Sequence, residues 1–451
     1  MSGRECPFCQ EEIGADTPAA AEVLDQELLL LVLANNPWWR PENGLCRGCA
    51  DAFALARKEA RAHHPGFARG GVPILPTPVR LGAPERYTGR GVTLAFLDSG
   101  FYAHPDLVQP RDRILRYVDL THPGARRSRL EHPDESSWHG MMTSVVACGN
   151  GALSAGLYRG LASEANLVLV KVGTARRIRH DDIRRGIEWV IRHRSRYGIR
   201  ILNISCGGDF EASYLEDGLS QAAEKASRAG ILVVAGAGNA GHQPGHPVVP
   251  PASAPSVLTV GGLDDKNRLH AAGYDMYHSS FGPTVDGLQK PEVIAPGIFV
   301  AAPILPGTPT AAQAALLARL ASASDDDLHD LLDAATGVDA DLDAARHLEP
   351  PLVRQLVAAK VRDHNVISGA YKHVDGTSFA APIVSSLAAV LLEVTPDLSP
   401  AEAKLTVIRS AHRMPHVDTD RQGWGVVRAP RAIEEAKRLR HARDPKRSGA
   451  P

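Results

Sequence analysis

The sequence predicts an α/β fold, a doubly wound, mostly parallel sheet with helices on both faces. Three observations carry that expectation. Short apolar, β-rich runs at 91–98, 166–172, 200–206, 231–237 and 257–262 alternate with helix-length stretches, as crossover-linked strands buried on both faces do. Two of these runs end in small-residue turns that carry a polar side chain, Asp98-Ser-Gly100 and Gly236-Ala-Gly-Asn239. Open parallel sheets place their chemistry at such strand ends. The 451 residues, 44% of them hydrophobic, suffice for one large core and one small module.

The chain begins with cysteines. Four of its six lie in the pairs Cys6-Pro-Phe-Cys9 and Cys46-Arg-Gly-Cys49. Two Cys-x-x-Cys knuckles offer four thiolates for tetrahedral zinc. The 36 residues between them (10–45) exceed the usual spacing. An apolar stretch at 24–33 can fold as a helix and return the chain, and 51–64 reads as a helix on the second knuckle. The expectation is a zinc-ribbon or treble-clef-like module over 1–70, with a disulfide framework as the alternative. The start, Met1-Ser-Gly-Arg-Glu5, shows no charged segment running into an apolar one, so a reducing, cytoplasmic location without a membrane span is expected. A Pro-rich linker is expected over 71–84.

The body follows, expected over 85–436. The strand 91–98 ends in Asp98, which is either a turn residue or a group that orients a base. His139 stands ahead of Gly140 and a small, apolar helix. Neutral imidazole takes and returns protons near neutral pH, yet 19 histidines make a single one weak evidence. Arg176 to Arg200 carries nine arginines against three acids. A solvated helix face is the plain reading, and a clasp on the acidic stretch further along the chain is the sharper one. Asn239 is either a left-handed turn residue or an amide donor to an oxyanion.

Between Gly297 and Gly376 lie 78 residues (298–375), long enough to require structure of their own. Helices are expected at 310–321, 328–335 and 352–361, as an insertion over about 305–368. Asp339-Ala-Asp341-Leu-Asp343 resembles the start of a calcium loop, but Ala344 and Pro350 stand where an EF-hand needs Gly and Glu. An acidic helix start is the better reading. Calcium is therefore unsupported, and zinc is the cofactor expected. Gly376-Thr-Ser378 leads into an apolar run from Phe379 to Val394. A hydroxyl at a helix start lies beside free N–H groups and the positive end of the helix dipole. Ser399-Pro-Ala-Glu402 reads as a capping box, and a basic, disordered tail is expected over 437–451. Net charge is −1, which gives no reason to expect nucleic-acid binding.

Taken together, Asp98-Ser-Gly100, His139-Gly140, Gly238-Asn239 and Gly376-Thr-Ser378 resemble the motifs of the subtilases, the subtilisin-like serine proteases. The order Asp, His, Ser is the family's known one. The resemblance runs from about Pro76 to about Ala436. His104-Pro-Asp-Leu107, Asn203-Ile-Ser-Cys-Gly-Gly208, Ser279-Ser-Phe-Gly282, Val293-Ile-Ala-Pro-Gly297 and Gly423-Trp-Gly425 fit further family segments. The resemblance implies a subtilisin-like fold and a serine endopeptidase. It implies Asp98, His139 and Ser378 as triad, Asn239 as oxyanion donor, and Ser205, Cys206, Gly207, Gly208, Gly236, Ala237 and Gly238 as substrate contacts. Polypeptide would be the substrate, and the expected enzyme is intracellular. A latent, partner-gated protease is the alternative, with the zinc module or the insertion as the platform for a protein partner. The sequence departs from the family at Met141-Met142, where Thr-His is usual, at Cys206, where leucine is usual, and in the length of the insertion.

Overall fold

The computed structural model describes residues 4–8, 12–13, 24, 29, 32, 39–51, 53–54, 74–122, 124–269 and 273–443. Cys9, the tail beyond 443 and most of the expected helices at 24–33 and 51–64 lie outside them.

The central sheet has eight strands and is mostly parallel: a two-residue strand, Asp275–Met276, pairs antiparallel with Leu263 and Asp264, and the other seven are β1 (Thr93–Asp98), β2 (Ile114–Asp119), β3 (Asn166–Lys171), β4 (Ile199–Ile204), β5 (Leu232–Gly236), β6 (Leu258–Asp264) and β7 (Val293–Pro296). The spatial order of these seven is β7-β6-β5-β4-β1-β3-β2, and each pair of neighbours among them runs parallel. The five apolar runs read from the sequence are all strands of this sheet. β2 was not among them, because it is an edge strand with an alternating, partly exposed pattern and Arg116 in its middle.

The main helices are α1 (Ser137–Cys148), α2 (His180–Tyr197), α3 (Gly218–Arg228), α4 (Pro309–Ser322), α5 (Leu328–Ala334), α6 (Ala340–Ala344), α7 (Pro350–Asp363), α8 (Thr377–Val394), α9 (Pro400–Ser410) and α10 (Ala429–Arg443). Period-two alternation along β1 separates two cores. Leu94 and Phe96 pack with α1, α8, α9 and α10, while Ala95 and Leu97 pack with Ile183, Ile187 and Val190 of α2 and Leu219 and Ala223 of α3. Helix α2 is well specified at its ends. Asp181 and Asp182 lie in its first turn, Arg194 and Arg196 in its last, and Gly198 at φ 63° ends it, each favourable for the helix dipole or cap. Helix α8 has the length and apolarity of a membrane span, but 89% of it is buried inside the protein, where it forms the centre of the larger core.

The insertion leaves and re-enters the body through a two-stranded antiparallel ladder, β8 (Val300–Pro303) with β9 (Tyr371–Val374), in which Pro303 faces Tyr371. It carries α4 to α7 around a separate core that includes Leu317, Leu320, Leu328, Leu342 and Val353. Asp339 caps α6, accepting from the N–H groups of Asp341 and Leu342. The Lys360 ammonium lies 2.9 Å from Asp339 Oδ2 and 2.7 Å from Asp341 Oδ2. A cation of the chain already occupies the acidic run, so this donor set does not fit calcium.

Two boundaries differ from the sequence reading. Residues 74–84, expected as linker, include a helix, Thr77–Leu81, with Pro at its start. Its Arg80 is buried in a two-pronged pair with Asp265, both contacts 2.7 Å, and also donates to the carbonyls of Ile298 and Phe299. That pairing docks the segment on the body. The tail, expected from 437, is helical to Arg443, because Arg440 and Arg443 bond the carbonyls of Val394 and Asp397.

Candidate active site

Asp98 ends β1 at the centre of the sheet and is 1% exposed. A buried carboxylate is tolerated when its oxygens are satisfied. Oδ1 accepts from the Ser99 N–H at 2.7 Å and the Ser99 hydroxyl at 3.3 Å, and Oδ2 accepts from the Thr143 hydroxyl at 3.3 Å. His139 Nδ1 lies 2.8 and 2.9 Å from the two oxygens. With its proton held there, Nε2 is the basic nitrogen. Burial pulls the His139 pKa down, but the charge of Asp98 and its hydrogen bond outweigh that, and the net shift is upward from 6.5.

Glycine sets the approach of the two segments. A Cβ on Gly140 would stand 2.1 Å from the Gly100 carbonyl oxygen and 2.8 Å from Asp98 Cβ. No larger residue can follow His139 while α1 keeps this position. Met141 and Met142 are both buried in the core beneath. The exposed Trp138 ring stands edge-on to His139, with centroids 5.1 Å apart.

Gly376, at φ 139°, turns the chain from β9 into α8. Ser378 is the second residue of that helix, and the Phe379 ring lies 5.9 Å from the His139 ring. This places the serine's turn beside the imidazole. The Ser378 hydroxyl donates to the Ser205 carbonyl at 3.2 Å, and the Ser205 hydroxyl donates back to the Ser378 carbonyl at 2.9 Å. Among the described residues no hydrogen bond joins Ser378 to His139, and none takes up the Ser378 N–H.

Asn239 follows β5 and is exposed at the same helix start. Its Oδ1 accepts from the Thr377 N–H at 3.1 Å and the Thr377 hydroxyl at 3.0 Å. Its Nδ2 is therefore the end left to donate. Gly238 donates its N–H to the Thr377 hydroxyl at 3.2 Å. A Cβ on Gly236 would stand 3.0 Å from the Thr377 carbonyl, so 236–238 lies flat against the start of α8. Ala237 is buried and donates to the Val260 carbonyl at 2.9 Å.

Residues 205–208 continue from β4 without a strand partner among the described residues. Gly207 is exposed, and Gly208 is held by its N–H on the Pro250 carbonyl at 2.7 Å. Cys206 is half-buried over the Leu97 carbonyl, and burial, then the nearby Asp98 charge, holds its thiol well above the usual pKa. It is a protonated packing residue. Sequence reasoning missed Thr377 and Thr143. Thr143 was findable, since it lies one helical turn after His139 on the same face. Thr377 was not, because its partner is distant in sequence.

At the other end of the chain, Cys6, Cys46 and Cys49 converge, with their sulfurs within 4.8 Å of one another. Cys6 and Cys49 sulfurs are 3.9 Å apart. That is about the edge of a tetrahedron with ~2.3 Å metal–sulfur bonds, and far from the ~2.0 Å of a disulfide. The N–H groups of Cys46 and Cys49 point at the sulfurs of Cys6 and Cys46. Phe8 packs on Trp39 and Phe53 beside them.

Residues 89–425 match a model of the subtilase family. The chain is 30% identical over 364 residues to serine protease AprX of Bacillus subtilis (strain 168), covering 77% of this chain and 67% of that one. It is 29% identical over 227 residues to subtilisin BL of Lederbergia lenta, covering 49% of this chain and 71% of that one. A solved structure of a mutant protease domain of PatA aligns with TM-score 0.52 and 23% identity, over 79% of this chain and 99% of that one.

Proposed function

The chain belongs to the subtilase family and is a serine endopeptidase, and from that premise we propose that Asp98, His139 and Ser378 are its catalytic triad. The observation that carries this is the His139–Asp98 pair, 2.8 and 2.9 Å on a buried carboxylate, next to the turn that presents Ser378. In the reaction the Ser378 hydroxyl turns from the Ser205 carbonyl to His139 Nε2 and attacks the scissile carbonyl. His139 takes the proton and returns it to the leaving amine, while Asp98 holds the ring and stabilises the imidazolium. Asn239 Nδ2 and the Ser378 N–H, both without an acceptor among the described residues, receive the oxyanion.

Substrate lies extended along Ser205, Cys206, Gly207 and Gly208, adding a strand through main-chain hydrogen bonds, with Gly236, Ala237 and Gly238 as the opposite wall. Cys6, Cys46 and Cys49, with Cys9 as the fourth thiolate from outside the described residues, would hold a structural zinc that ties the two knuckles together. Thiolates that bind zinc persist in a reducing compartment, so the enzyme works in the cytoplasm. A serine-reactive fluorophosphonate tests the triad: it should label wild type and spare Ser378→Ala. Folded wild-type protein that resists labelling would overturn the assignment.

A further inference from the structure

We propose that Lys171 is a positioning residue for the Asp98–His139 couple, acting through Ser136. The proposal rests on the triad reading above. Lys171 ends β3, and it is the register partner of Asp98 on β1 and of Asp119 on β2. Three charged residues therefore stand side by side at the C-terminal edge of the sheet. All are buried: Asp98 at 1%, Lys171 at 7% and Asp119 at 5% exposure.

The ammonium does not pair with either neighbour in the row among the contacts of the structure. It donates to the Ser136 hydroxyl and lies 3.7 Å from Asp134 Oδ2. Asp134 in turn accepts from the Ser136 N–H at 2.8 Å and from the Ser136 hydroxyl. Lys171 and Asp134 thus grip one residue, Ser136, which precedes α1 and stands three positions before His139. The Ser136 carbonyl accepts the Ser99 hydroxyl at 2.9 Å, and the Ser99 N–H is on Asp98 Oδ1 at 2.7 Å. A continuous path of hydrogen bonds runs from Lys171 through Ser136 and Ser99 to the carboxylate that orients His139.

The packing along this path has no slack. A Cβ on Gly100 would stand 2.6 Å from Ser136 Oγ and 2.7 Å from its carbonyl oxygen. The turn after Asp98 and the turn before His139 interlock through bare glycine. A shift of Ser136 must therefore move either Asp98 or the first turn of α1. Burying an ammonium is costly, and an apolar side chain of like volume would serve stability as well or better. The feature a lysine adds here is a directed donor to Ser136, at the junction of the two segments that must meet.

The test compares Lys171→Met, Lys171→Arg and Ser136→Ala with wild type, in the full chain. Fluorophosphonate labelling of wild type first confirms the triad, so failure there is separable from failure of the present idea. Each variant is read by kcat, KM, melting temperature and the low-field proton magnetic resonance of the His139 Nδ1–H. Lys171→Met should lower kcat by about tenfold, with KM within about twofold, and should broaden or move the Nδ1–H signal. Lys171→Arg should restore most of kcat, and Ser136→Ala should lower kcat severalfold with KM unchanged. A Lys171→Met variant with wild-type kcat and an unmoved proton signal overturns the proposal. So does a Lys171→Met that fails to fold alongside a Ser136→Ala of wild-type kcat, since the network would then act on stability alone.

Discussion

Asn239 takes two hydrogen bonds from one residue, Thr377, whose backbone N–H and hydroxyl both end on the amide oxygen. The neighbour of the proposed nucleophile, Ser378, is thus what aims the amide. Asn239 is itself exposed, so without Thr377 nothing described would choose between its two orientations.

Removing the amide should be costly. Asn239→Ala is expected to lower kcat by about 10²–10³ with little change in KM. Thr377→Val keeps the shape and deletes the hydroxyl, so about tenfold is expected from a misaimed but present amide. Steady-state kinetics on a peptide substrate decide both. Wild-type kcat in Asn239→Ala would exclude the residue from the mechanism.

The pH profile reports the Asp98–His139 couple. Catalysis needs neutral imidazole, and Asp98 raises the His139 pKa above 6.5. The acid limb of kcat/KM should therefore fall above pH ~6.5. In Asp98→Asn the charge is gone while burial remains, so the limb should move to lower pH and kcat should drop by about 10⁴. A limb that stays in place in a folded Asp98→Asn would separate the two residues.

Metal analysis of the purified full chain should give about one zinc per molecule, and Cys46→Ser should lose it and melt at lower temperature. A stable, metal-free protein whose amino-terminal thiols react freely would refute the assignment.

Tyr371 donates its hydroxyl to Asp106 Oδ2 at 2.6 Å, and that carboxylate is fully buried. Tyr371→Phe leaves one oxygen without its donor, so a loss of about 1–3 kcal/mol is expected in denaturant unfolding. An unchanged midpoint would show that water or relaxation replaces the bond.

The elements that could be read from sequence are those with a local signature. β1, β3 and β5 announced themselves by unbroken apolar runs, and Asp98, Asn239 and Ser378 by the small residues around them. His139 could be picked from 19 histidines only through Gly140 and the helix that follows. The contacts that assemble the site were not legible, because each joins segments far apart in the chain. Thr377 to Asn239, Lys171 to Ser136 and Arg80 to Asp265 have no local pattern. Arg80 shows the cost of relying on composition, since a proline-rich stretch read as linker is fastened by a buried ion pair. The helical tail was hidden in the same way, because the carbonyls that hold Arg440 and Arg443 belong to the end of α8 and the turn after it.

The ladder of β8 and β9 has a consequence for how this chain can change over generations. Pro303 and Tyr371 face each other across it, about one strand spacing apart, and the insertion between them closes around its own core. The ends would be just as well joined by a tight turn. The insertion is thus a cassette in a fixed socket. Changes confined to α4–α7 leave in place Leu305 and Ile367, which pack on the body, and the ladder that delivers Gly376 and Ser378.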